Sequence, residues 1–187
     1  MKKVKRFINT AFVSLLVFSF TALQVQADCI NSRSTTPSSQ FTDLSNNQDI
    51  EVIEDFKTDL MWVRCFHGSN WDIAASDCRV DDQPRITWKE ALKAVDAAND
   101  VAYLGYTDWR MPNIKELASI VERQCYLPAI NTARFPLSQL AITSVFWSNT
   151  PIPGTTSIRV VSFADGLALS QDYTATHYLR LVRDVTP

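Results

Sequence analysis

The stretch "YTDWRMPNIKEL", Tyr106–Leu117, sets an acid, a tryptophan, an arginine and a proline directly ahead of a helix start. Asn113 with Glu116 three residues on is a capping-box signature, in which each side chain accepts from the other's backbone N–H. Ile114, Leu117, Ala118 and Val121 then recur on one helical face. Two readings of Asp108-Trp109-Arg110-Met111-Pro112 compete. As a binding site, Asp108 and Arg110 would hold a polar ligand while Trp109 stacks on a sugar ring. As a joint, Pro112 presets the chain before the Asn113 cap, Trp109 fills the core, and partners brace the planar donors of Arg110. A buried Asp–Arg pair mainly enforces one geometry, because desolvation consumes much of its Coulomb gain. The adjoining capping box favours the joint. Asp108, Trp109, Arg110 and Pro112 are therefore read as architecture.

Working outward, "TWKEALKAVDAAND" repeats the same grammar, with Thr87 and Glu90 as the box and Trp88, Ala91, Leu92 and Val95 as the apolar stripe. Before it, "IEVIEDFKTDLMWVR" predicts strands over Glu51–Glu54 and Leu60–Arg64 around a turn at Asp55–Asp59. That turn has no glycine, so Asp59 is expected to take the unusual backbone conformation. Further along, "SVFWSNTP" predicts a strand ending in a turn. In "IRVVSFADGLALS", Asp165-Gly166 sits between two extended runs and predicts a type I′ hairpin. "HYLRLVRD" predicts a last strand with Leu179 and Leu181 on one face. Helices early and antiparallel strands around them predict an α+β domain.

The start, "MKKVKRFINTAFVSLLVFSFTALQVQA", has the form of a secretory signal peptide: four basic residues, an apolar run, then Val25-Gln26-Ala27. The apolar run is too short for a membrane span. Asp28 before Cys29 argues against a lipid-attachment site. Removing residues 1–27 from the 187 leaves 160, and takes four of the 18 basic residues but none of the 20 acidic ones. The formal charge then falls from −2 to −6. So acidic a chain is a poor partner for nucleic acid, whose binding rests on cationic neutralisation of phosphates. The expected destination is the periplasm, the cell surface or the medium, with no membrane insertion after the leader is removed.

Residues 28–40 are rich in Ser and Thr and poor in apolar side chains, and are expected to form an arm held mainly by Cys29. The compact domain is expected over 41–187. Four cysteines, none in a C-x-x-C pair, imply two disulfides in an oxidising compartment. Three connectivities are possible. Cys65–Cys78 with Cys29–Cys125 is favoured, because Cys65 and Cys78 bracket the polar excursion "FHGSNWDIAASD".

In combination, "KTDLMW", "TWKEAL", "GYTDWRMPNIKELASIVE", "FWSNTP" and "LRLVRD", with "CYLPAIN" after the second helix, carry a resemblance over about 41–184. The chain resembles the Lcl C-terminal domain family, named for the C-terminal region of the Legionella collagen-like adhesin and formerly a domain of unknown function. The resemblance implies a C-type-lectin-like fold, export and adhesin-type binding, and a more distant likeness to the formylglycine-generating enzyme fold. Asp59 stands where the family's turn usually has glycine. No collagen-like stalk or coiled coil is seen here, so the adhesin's trimeric architecture does not carry over.

Chemistry-bearing sets are sparse. Cys65 lies near His67, but a nucleophilic thiolate needs a free sulfur, and export favours oxidation. There is no G-x-S-x-G elbow and no H-E-x-x-H. The reactive cysteine pair of the formylglycine-generating chemistry is not matched. The Glu-Pro-Asn or Gln-Pro-Asp and Trp-Asn-Asp motifs of calcium-using C-type lectins are missing. Asp72, Asp77, Asp81 and Asp82 could offer oxygen ligands but read better as a solvated acidic rim. No cofactor and no metal are expected. Trp62, Trp88, Trp109 and Trp147 read as core. Trp71 lies in the polar loop, where a sugar or protein contact and packing over the loop's own base weigh equally. The candidate contact residues are Trp71, His67 and Asn70, then the tip "NTPIPGTT" with Asn149 and Thr150. The expectation is an exported, non-catalytic module binding a glycan or a protein. The alternatives are a self-assembling envelope component, as a homo-oligomer, and less so an enzyme related to the formylglycine-generating fold.

Overall fold

The computed structural model describes residues 27–30, 33–44, 51–81, 85–137 and 145–186. Residues 1–26 of the expected leader and Asp82 lie outside them. In chain order, β1 (Asp28–Cys29), β2 (Phe41–Leu44), β3 (Val52–Asp55), β4 (Leu60–Val63), β5 (Ser69–Asp72) and β6 (Asp77–Val80) precede the helices α1 (Trp88–Asp100) and α2 (Ile114–Ser119). Then follow β7 (Cys125–Tyr126), β8 (Val145–Pro151), β9 (Ser157–Ser162), β10 (Ala168–Asp172) and β11 (Val182–Asp184). Among the described residues these strands pair antiparallel, and one isolated bridge, Phe146 with Tyr178, is parallel. The architecture is α+β.

The central sheet runs β11-β4-β3-β2, and β10-β9-β8 form a second sheet. Strand β4 explains why the core has two halves. Its residues alternate sides, as a strand's must, and all four are buried. Leu60 and Trp62 join Ile53, Leu117, Phe135 and Phe146 in one cluster. Met61 and Val63 join Val52, Ala91, Trp109, Trp147 and Leu179 in the other. The β3–β4 turn carries Asp59 at φ 55°, as the missing glycine predicts. Buried Asp55 holds this turn by accepting from Lys57 N at 2.9 Å and Thr58 Oγ1 at 2.8 Å.

Both capping boxes form, Thr87 with Glu90 and Asn113 with Glu116. Helix α2 is shorter than its apolar spacing predicts. Ile120 and Val121 leave helical geometry, bury themselves in the core, and Val121 pairs with Ile130. The β9–β10 hairpin forms, but not with a type I′ turn. Residues 163–167 connect the strands, and of the Asp165-Gly166 pair only Gly166 has positive φ. The reason is Phe163, which is pulled into the core and lengthens the loop.

Both disulfides, Cys65–Cys78 and Cys29–Cys125, are formed. The arm is held by more than its cysteine. Glu122 accepts from Ser34 Oγ, from Thr35 N at 3.0 Å and Oγ1 at 2.9 Å, and from Thr36 N and Oγ1, both at 2.9 Å. Burial pushes the Glu122 carboxyl up, but these donors and Gln124 N–H outweigh it and hold it at about 2. Among the described residues no helix is long and apolar enough to cross a membrane.

Candidate functional site

The Asp108-Trp109-Arg110-Met111-Pro112 motif closes a joint. The Trp109 side chain is 2 % exposed, and its indole N–H donates to Tyr103 O at 2.7 Å. Asp108 takes a two-pronged bond from Arg183, at 2.6 and 3.0 Å, while the Arg183 guanidinium lies 4.2 Å from the Tyr106 ring centroid. Arg110 donates to Glu116 at 2.8 and 3.1 Å and to Asp184 at 2.6 Å, and its backbone bridges to Val182. Arg110 thus ties the start of α2 to the last strand, and Pro112 accepts from Asn149 N at 2.7 Å. The side chains of Asp108, Trp109 and Arg110 all bond within the fold.

A cleft of about 340 Å³ opens elsewhere, between the disulfide-closed hairpin β5–β6 and helix α1. Its apolar walls include Val63, Phe66, Leu181 and the small side chains Ala94, Ala97 and Ala98. Small residues on that face of α1 leave room that larger ones would fill. His67, Ser69, Asn70 and Asp81 supply the polar rim. The hairpin is anchored twice at its base. The Cys65–Cys78 bond closes it, and Ser69 Oγ donates to Phe66 O at 2.6 Å. Asn70 donates to Asp81, which also takes Arg79 Nε at 2.9 Å. Those bonds, from Arg79 first and Asn70 next, hold the Asp81 carboxyl below its ordinary range. Tyr103 closes one side, its hydroxyl donating to Glu51 at 3.3 Å. Burial first, then the Glu51 charge, raises the Tyr103 pKa, so it stays a neutral donor.

Of the candidate contact residues, the cleft brings together His67 and Asn70. Trp71 sits on the other side of the hairpin, half-buried against the core, with the Arg64 guanidinium 4.6 Å from its ring centroid. It packs over the loop's own base. Asn149 and Thr150 are strand residues, not a tip, and do not line the cleft. Thr150 Oγ1 instead accepts from Ile114 N at 3.0 Å, adding a second cap to α2. Among the described residues no group of three His, Cys, Asp or Glu could hold a metal ion. Sequence reasoning missed the alanine face of α1. The i, i+3, i+4 spacing of Ala94, Ala97 and Ala98 was its one available signal.

Residues 51–183 match the family model described as the Lcl C-terminal domain. No curated protein matches the chain.

Proposed function

The chain belongs to the Lcl C-terminal domain family, and from that membership we propose an exported, non-catalytic, lectin-like module that binds a glycan or protein at the bacterial envelope. The family suggests an adhesin-like surface module, and two disulfides suit an oxidising compartment. The observation that carries the reading is the cleft under the Cys65–Cys78 hairpin. It combines a fixed backbone, an apolar floor and a few convergent polar groups, the general form of a small-ligand site. At about 340 Å³ it suits one sugar ring or one protein side chain. His67 and Asn70 are the groups that would fix its orientation.

The labelled chain is applied to a glycan array and, in parallel, cross-linked to an envelope fraction. Capture is expected in one of the two, and Ala97→Trp, which fills the cleft from an exposed position, abolishes it. Capture that survives Ala97→Trp moves the site elsewhere. Turnover of a substrate without capture refutes the binding reading altogether.

A self-assembling envelope component is the second reading. Strand β10 ends its sheet, and Leu167, Leu169 and Tyr173 are exposed along it. Light scattering after size exclusion separates the two, since a monomer excludes assembly.

A further inference from the structure

Arg180 lies in the middle of the core and is 0 % exposed. Its Nη1 donates to the backbone carbonyls of Val63, at 2.9 Å, and Arg64. Among the described residues its other edge, Nε and Nη2, finds no acceptor. That edge is the planar fork that meets carboxylates and other anions two-pronged. The guanidinium carbon lies 5.2 Å from the Phe135 ring centroid and 5.7 Å from that of Phe146. Ring faces attract a cation but offer no acceptor to in-plane N–H groups.

Arg180 also lies within electrostatic reach of a second guanidinium, that of Arg64. Arg64 and Arg134 share one carboxylate, that of Asp43, and both its oxygens are used. Trp62, packed on the same Phe135, leaves its indole N–H without a partner, as Arg134 leaves its Nε. Apart from the His177 ring, each buried side-chain atom lacking a partner among the described residues is a donor. Such groups are costly in a protein interior. Burial, then the Arg64 charge, pushes Arg180 down to about 9.

We propose that the Nε–Nη2 edge of Arg180 binds a small internal anion, chloride, which completes the core. Full burial excludes a ligand whose tail must reach solvent. A single-atom anion accepts from both prongs of the fork at once. Water could accept the bonds but would leave the charge uncompensated. The site is independent of the cleft and of any surface ligand.

The test compares thermal midpoints of the full chain in sodium chloride and in sodium gluconate at matched ionic strength. A ligand that binds only the folded state raises the midpoint with the logarithm of its concentration. About 3 to 5 °C per tenfold chloride is expected above the dissociation constant. Crystals soaked in bromide should show an anomalous peak within hydrogen-bond reach of Arg180 Nε and Nη2. R180M is expected to erase the chloride response. Equal midpoints in the two salts, bromide confined to the surface, or an unchanged response in R180M would each overturn the site. Should R180M fail to fold, the bromide peak in the unaltered chain decides alone.

Discussion

Asn99 clamps the backbone of Trp109 from both sides: its Oδ1 accepts from Trp109 N at 2.8 Å, and its Nδ2 donates to Trp109 O at 2.8 Å. The last turn of α1 thereby fixes the segment that leads into α2. Asn99→Ala leaves two backbone groups to find other partners and is expected to cost about 1–3 kcal/mol. Asn99→Asp is expected to do no better, since a carboxylate accepts the N–H but repels the carbonyl. Urea unfolding of the three proteins measures both.

Acid should loosen the fold in two windows. His177 is pushed down to about 4 by burial, then by Arg85. It binds fewer protons folded than unfolded, so the stability it contributes is present above about 6.5. That contribution is lost as pH falls through 4. Glu122, held at about 2, contributes stability that is full above about 4.5 and is lost as pH falls through 2. Thermal midpoints against pH should show a first decline that His177→Gln removes and a second that Glu122→Gln removes. A Glu122→Gln difference that persists unchanged down to pH 2 counts against the arm's anchorage.

At Gly166 a side chain meets two obstacles. The backbone has φ 75°, and an added Cβ would lie 2.6 Å from Val121 Cγ1. Val121 is itself buried and stiff at χ1. Gly166→Ala is therefore expected to cost about 2–4 kcal/mol, from the left-handed backbone and from overpacking. Val121→Ala in the same chain should recover part of it. A double-mutant cycle by calorimetry reads the coupling.

Opening the hairpin staple isolates its role. The Cys65–Cys78 bond closes a loop with sequence separation 13, worth about 3 kcal/mol on the chain-entropy model. The paired Cys65→Ser and Cys78→Ser chain should lose about that much stability and also lose ligand capture at the cleft. Loss of stability with capture intact would separate the cleft from the hairpin.

Local signals carried most of what the sequence disclosed. The capping boxes at Thr87 and Asn113, the strand that begins at Leu60 and the turn at Asp59 are each decided within a few residues, and each is where its residues predict. What stayed hidden depends on distance along the chain. Glu122 meets Ser34 across 88 positions, and nothing local marks an acid as a clasp. Phe163 lengthens its hairpin because the core claims it, overriding the turn preference of Asp165-Gly166. The candidate site was half legible. His67 and Asn70 stand out by chemistry, but the cleft they face is made by alanines, and alanines on a helix resemble ordinary surface. Arg180 reads as one polar position in an alternating strand, and only its complete burial makes it unusual.

Strand β4 belongs to both halves of the interior, so its four residues cannot be loosened on behalf of one half without disturbing the other. A substitution on either side is transmitted straight through the sheet, and melting should be all-or-none. A half-molten intermediate that keeps one hydrophobic layer intact has no strand left to build it on.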